Sequence, residues 1–302
     1  MTTIEATTQL SHGFETPSLA RRSLRGLRYF VKRKPLGAVG GVIVIVLVMT
    51  AILADVIAPY DPLAQNAAAA LQPPGANYLA GTDQFGRDLF SRLVHGARVS
   101  LFVGLGAVLL ATIPGTILGI LSAYFGGLFD YFVQRVVDAF QAIPGVILLI
   151  SIMVVLGGSI PNVIIALAIP AMIRDSRIMR GASMSISRSE YVMAARALGA
   201  SDLRIMAQHV LPNIASPIIV VASLGFGGFI LAEATLSFLG FGVQPPAPAW
   251  GGMLSAEGRA YMFAAPWLLW GPAIALSLVV FGANMFGDAL RDVLDPRQKG
   301  TR

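Results

Sequence analysis

LGAVGGVIVIVLVMTAILADVIA, residues Leu36 to Ala58, holds one charged side chain, Asp55, in a run long enough to cross a bilayer as a helix. About 20 apolar residues at 1.5 Å each span a hydrocarbon layer of roughly 30 Å. Ahead of the run, residues 1–35 are polar and end in Arg21, Arg22, Arg25, Arg28, Lys32, Arg33 and Lys34. Basic residues before an apolar stretch also describe a secretory signal, whose core is about 7–15 residues. This run is longer, and five more apolar runs follow at roughly 98–123, 130–156, 159–175, 210–236 and 264–290.

Composition agrees. Hydrophobic residues make up 55% of the 302 positions, charged residues 13%, and mean hydropathy is +0.71. Soluble domains carry about 25% charged residues. The expected fold class is therefore an all-α membrane protein with about six transmembrane helices. The net charge of +6 comes from basic residues in separate segments between apolar runs. Nucleic-acid binding needs them on one soluble surface, so the pattern points instead to membrane topology and contact with anionic lipid headgroups. Cysteine is absent, which removes disulfides and thiolate chemistry, and His12, His95 and His209 lie far apart in sequence.

Charge bias orders the segments. Residues 1–35 form a basic cytoplasmic start, 36–58 the first span and 59–97 a periplasmic loop rich in Pro, Gly, Asn and Asp. Residues 98–292 form the core with the other five spans, and 293–302 a cytoplasmic tail. Six spans gather the N-terminal tract, Arg174, Arg177, Arg180, Arg188, Arg196, Arg204 and the C-terminal basic residues on the inner side, with both termini cytoplasmic. The fourth run is short and contains Pro161 and Pro170, which leaves a re-entrant segment as the alternative. Glycines four apart, Gly37 with Gly41 and Gly115 with Gly119, and the group Gly225, Gly227 and Gly228, suit close helix packing.

Charges inside spans are costly unless they face protein or water. Asp130, Gln134, Asp138 and Gln141 form one stripe at helical spacing, with Arg135 placed to pair with Asp138. The stripe either lines an inner vestibule or seats cytoplasmic helices. Glu233, near the outer end of the fifth span, either attracts a cationic group or is hydrogen-bonded to neighbouring helix ends. Asp288, Arg291, Asp292 and Asp295 read as an interfacial anchor, and Pro144 and Pro170 as places where a helix can bend.

Between the fourth and fifth spans lies SEYVMAARALGASDLRIMAQHVLP, Ser189 to Pro212. Ser189 is placed to cap a helix that opens with Glu190, and Tyr191, Ala194, Ala195 and Leu198 share one face. Gly199 is placed for the left-handed turn that ends it, followed by Ala200, and Ser201 with Asp202 open a second helix. Two short helices joined by a sharp bend, with a small apolar face, are built for docking.

This stretch resembles the EAA signature of ABC importer permeases. Ala194, Ala195, Gly199, Leu211 and Pro212 fall at its positions, while Met193 stands where the family has its glutamate and Glu190 lies one turn earlier. APYDP (Ala58 to Pro62), LAGTDQFGRDLFSRLVHGARVSL (Leu79 to Leu101), LSFLGFGVQPPAPAWG (Leu236 to Gly251) and GDALRDVLDPR (Gly287 to Arg297) are similar to the C-type permease subunit of dipeptide, oligopeptide and nickel importers. The resemblance covers the chain from about Leu36 onward. It implies the type I ABC importer permease fold in a bacterial inner membrane, a homologous permease partner, two cytoplasmic ABC ATPases that bind ATP and Mg, and an extracytoplasmic substrate-binding protein. It implies peptide cargo, with nickel chelates, glutathione and opines as alternatives. Residues 189–212 become the ATPase-coupling segment.

No Gly-x-x-x-x-Gly-Lys-Ser/Thr loop, His-Glu-x-x-His helix or Gly-x-Ser-x-Gly elbow occurs, so no cofactor is expected in the chain itself. An ion-coupled secondary transporter would need inverted repeats and midplane acids. A membrane enzyme would need a clustered catalytic group. Either would leave residues 189–212 unexplained.

Overall fold

Four helices of the computed structural model, which describes residues 30–294, are long and apolar enough to cross a membrane. They are α1 (Pro35–Ile52), α2 (Leu89–Phe125), α8 (Ala215–Phe238) and α9 (Trp267–Leu294). A fifth crossing is made by α3 (Gly127–Gln141) and α4 (Gly145–Leu156) if this pair, bent by 91°, counts as one span. The remaining long helix, α5 (Ile160–Ser187), is about 42 Å long at 1.5 Å per residue. Arg174, Asp175, Arg177 and Arg180 keep it from reading as an apolar span, so by length and composition the described residues give four or five spans where the sequence suggests about six. Helix α6 (Glu190–Ala197) and the single turn α7 (Asp202–Ile205) make up the bend between α5 and α8. The termini at 1–29 and 295–302, with most of the basic tract and tail, lie outside the described residues.

Two expectations change. The run 130–156 is not one helix: it breaks at residues 142–144, where Pro144 takes an extended ψ of 125° and offers no N–H to carry the ladder onward. Residues 159–175 fall within α5, which runs unbroken through Pro170 and starts with Ser159 Oγ accepting from Asn162 N–H. Residues 89–97, assigned to the loop, open α2 instead, with the Asp88 carboxylate accepting from Ser91 N–H at 2.8 Å.

Packing is by backbone approach where small residues allow it. Helices α2 and α5 lie along each other. A methyl at Gly119 would come within 2.6 Å of the Ser176 carbonyl oxygen, and one at Gly115 within 2.9 Å of that of Met172. The first helix seats on the last in the same way: a methyl at Gly40 would lie 2.4 Å from the Gly282 oxygen, and one at Gly37 2.1 Å from Ala289 Cβ. In lipid no hydrophobic force separates helix from solvent, so such contact surface holds helices together. Asp292 reaches across to Lys34, which fastens the end of α9 to the start of α1.

The segment between α1 and α2 is folded onto the helix ends. Asp83, fully buried, accepts from Arg87 Nε at 2.6 Å and from the Phe85 and Arg87 amides at 2.9 Å. Trp267 Nε1 donates to the Thr82 carbonyl at 3.1 Å, tying this loop to the first turn of α9. Asp55 pairs with Arg98 at 2.9 Å, and the Arg98 guanidinium, aided by His95, holds the Asp55 carboxyl below the usual carboxylate range.

Candidate functional site

Helix α6 ends as its sequence requires. Gly199 has φ +83°, and the amides of Gly199 and Ala200 donate to the carbonyls of Arg196 and Ala195 at 3.0 and 3.1 Å, the paired bonds of a Schellman turn. Ser189 occupies the N-cap position with extended backbone, but its hydroxyl donates back to the Ile186 carbonyl at 2.7 Å and caps nothing. Ser201 precedes α7 likewise without a side-chain cap.

The inward face of the bend is Val192, packed with Ile205, Val210, Ile214, Met179 and Ile120. Its outward face carries apolar side chains with no cover: Leu198 is 89% exposed, Leu203 74%, Met193 56% and Tyr191 46%. Ala194 is exposed and Ala195 half-buried. Glu190 is exposed in the first turn of α6, where it complements the helix dipole. Beyond α7 the chain does not run straight into α8. A π turn at Met206–Val210 and a short turn at Leu211–Asn213, holding Leu211 and Pro212, come first, and α8 starts at Ala215.

One clasp fixes the bend to α2, and a second braces the helices behind it. Tyr124, next to last in α2, donates its hydroxyl to Asp202 Oδ1 at 2.5 Å, and the Arg196 guanidinium lies 5.1 Å from the same ring centre. The polar stripe on α3 then meets α5. Arg180 Nε donates to Asp130 at 2.5 Å, and Ser122 of α2 donates to the same carboxylate. Arg177 reaches Gln134 at 3.3 Å, Gln141 at 2.8 Å and Asp138. Arg135 adds its pair to Asp138 at 3.5 Å. The stripe therefore braces α3 against α5 and the end of α2.

Glu233 stands apart from this group. It is fully buried within α8, with Ser237 Oγ donating to Oε1 at 2.7 Å and the Val243 amide donating in turn to Ser237 Oγ at 3.1 Å. That arrangement ties α8 to the loop after it.

Between the α3–α4 break, α5 and α8 lies a cavity of about 760 Å³, lined by Gln141, Leu148, Pro170, Arg174, Gly225 and Gly228 among others. Gly228 meets nothing within 4 Å of where a methyl would stand, so it opens this space and does not pack, unlike Gly227 against Ala283.

Read from the sequence, Arg177 and Arg180 mark topology alone, and nothing there points to Tyr124. The arginine signal was available: residues 174, 177 and 180 repeat at helical spacing, as does the acidic and amide stripe they oppose.

Comparison with known proteins places this geometry. Residues 115–300 match the family model for the binding-protein-dependent transport system inner membrane component, and residues 25–74 match the N-terminal transmembrane domain of oligopeptide transport permease C. A dipeptide transport system permease protein of Alkalihalophilus pseudofirmus is 43% identical over 269 residues, 89% of this chain and 88% of its own. A di/tripeptide transport system permease protein of Pseudomonas aeruginosa is 42% identical, covering 87% and 89%. A glutathione transport system permease protein of Escherichia coli is 41% identical, covering 89% of each. Among solved structures, the MetNI methionine ABC transporter in inward-facing form matches with TM-score 0.55 and 20% identity, over 68% of this chain and 98% of that one, which is a likeness of fold. The chain is a multi-pass membrane protein and belongs to the family of binding-protein-dependent transport system inner membrane components.

Proposed function

We propose that this chain is the membrane-spanning permease subunit of an ATP-driven importer that carries di- and oligopeptides. The observation that carries the reading is the uncovered apolar face of the bend, with Leu198 and Leu203 standing out on either side of the Schellman turn at Gly199. An ATPase surface that covers this face moves α6 and α7 as one body, and the clasp at Tyr124 passes that motion to α2, which Ser122, Asp130 and Arg180 tie to α3 and α5. Work reaches the membrane helices as a changed preference between two packings of the same parts.

The assembly in this reading has a homologous permease beside the cavity face, two cytoplasmic ATPases on the bend and an extracytoplasmic binding protein over the loop end. ATP and Mg²⁺ belong to the ATPases, since this chain has no phosphate-cradling loop. Peptide cargo is favoured by the names of the dipeptide and di/tripeptide relatives; glutathione, itself a tripeptide, is the second reading because one relative of nearly equal identity carries that name. Both termini are cytoplasmic and the membrane is the bacterial inner membrane, as the distribution of basic residues supports.

The test is co-purification of the ATPases with Leu198→Asp and Leu203→Asp variants, together with peptide uptake. Loss of both, with the chain still present in the membrane at normal levels, is the expected result. Retention of the ATPases and of uptake at the unmodified rate overturns the assignment of the bend. A reporter active only in the cytoplasm, fused after Arg302, checks orientation by giving activity.

A further inference from the structure

Three arginines leave α5 at three-residue spacing, and two are held by the α3 stripe. Arg174 is the third. It lines the 760 Å³ cavity, more than half of its side chain is exposed, and its partner among the described residues is the next residue, Asp175. A guanidinium in a membrane helix is tolerated where it faces protein or a water-filled space, and that placement marks pathways.

Asp175 explains why Arg174 points as it does. Its carboxylate is 2% exposed, wedged between α5 and α2: Thr112 Oγ1 lies 3.5 Å from Oδ2, and a methyl on Gly115 would stand 3.1 Å from its Cβ. Oδ1 accepts from both Nε and Nη2 of Arg174, at 3.3 and 3.2 Å. One buried oxygen thus fixes the guanidinium through one edge and leaves Nη1 and the outer N–H of Nη2 directed away from it. Nη1 and Nη2 together form the planar fork that matches a carboxylate in two parallel hydrogen bonds. Among the residues that line the cavity Arg174 carries the only charge, and the rest are apolar except Gln141.

We infer that Arg174 is a specificity-determining residue of the translocation cleft, reading the carboxylate of the cargo as it passes. The inference rests on the peptide-importer reading. Asp175 is its positioning residue, and the apolar walls accept side chains without selecting among them.

The complete importer, reconstituted in liposomes with its binding protein, tests this. Arg174→Gln is expected to lower uptake of the dipeptide Ala-Phe about tenfold, while ATP hydrolysis stimulated by loaded binding protein stays within twofold. Arg174→Lys, which keeps the charge and loses the fork, falls between. Saturation-transfer NMR on the importer without binding protein supplies the chemical readout. Ala-Phe is expected to give a signal at least threefold stronger with the unmodified importer than with Arg174→Gln, and the C-terminal amide of Ala-Phe an equally weak signal with both. Equal signals from acid and amide, or uptake by Arg174→Gln at the unmodified rate, overturn the inference. An uptake defect seen with phosphatidylglycerol in the liposomes and absent in phosphatidylcholine alone overturns it too, by assigning Arg174 to lipid phosphate. If the unmodified importer carries no peptide, the peptide-importer reading itself has failed, which is a distinct outcome.

Discussion

Tyr124 and Asp202, 78 positions apart in sequence, meet at 2.5 Å where α2 ends and α7 begins. The bond ties the bend between α5 and α8 to the longest helix among the described residues, which at 37 residues is about 55 Å long and exceeds the bilayer's thickness. Force on the bend therefore has a route to α2 that bypasses the turns before α8. A hydrogen bond to a charged group is worth about 1.5–3 kcal/mol, with the lower figure suited to this exposed site. Tyr124→Phe keeps the ring beside Arg196 and removes the bond, and is expected to raise the ATP consumed per molecule imported by roughly tenfold at most. Asp202→Asn keeps an acceptor oxygen and should be nearly normal. Equal coupling ratios in Tyr124→Phe and the unmodified importer would show that the bond is idle.

Gly199→Val places a β-branched side chain at φ +83°, a conformation costing about 1–2 kcal/mol for ordinary residues and more for this one. No neighbour lies within 4 Å of the added carbon, so the effect is on the turn and not on packing. The variant should insert normally and lose transport, with the ATPases released or hydrolysing without uptake. Ala195→Trp, on the half-buried side of α6, should do the same by overfilling the docking face. Quantifying co-purified ATPase and uptake together checks both.

Arg180→Ala leaves Asp130 with Ser122 as its remaining partner. The pair is about one-quarter exposed on the arginine side and one-fifth on the aspartate, so its loss should cost about 2 kcal/mol, below the 3–5 typical of full burial. A lower melting temperature of the detergent-solubilised chain is expected. The double variant Asp130→Asn with Arg180→Gln should recover part of it, because no uncompensated charge remains.

Asp55 gives a pH dependence. Its folded carboxyl titrates below its unfolded value of 3.8 because Arg98 and His95 favour the charged form. Stability from the pair is therefore fully present above pH 3.8 and is lost as pH falls through the lower folded value. Asp55→Asn should melt slightly lower than the unmodified chain at pH 7, and the two should converge as the pH falls below 3.8. A difference that stays constant across that range would separate the Asp55 effect from its charge.

Hydropathy made the helices legible, because a helix in lipid must be apolar along its length. It does not mark the break at residues 142–144, since Ile143 to Leu156 stays apolar on the far side of the bend; Pro144, read as a place where a helix can bend, is the local mark of it. The end of α5 was lost for the opposite reason: beyond Ile173 the helix continues into charged residues whose partners lie on α3. The bend at residues 189–212 was readable to the level of Gly199, where backbone chemistry leaves few choices. What ties it to α2 was not readable: Tyr124 and Asp202 are 78 positions apart, and a lone pair of that kind leaves no periodic trace, unlike the arginines of α5 and the stripe on α3.

The seating of α1 on α9 also sets a schedule. Gly37 and Gly40 are made well before Gly282 and Ala289, against which they pack. Roughly 200 residues separate the two helices, so at about 5–20 residues per second α1 waits some 10–40 seconds for its groove. During that interval a glycine-lined face stands open in the membrane, and a chain cut short before α9 never closes it. Copies that stop short of α9 thus keep the backbone at Gly37 and Gly40 uncovered on the side where α9 would lie.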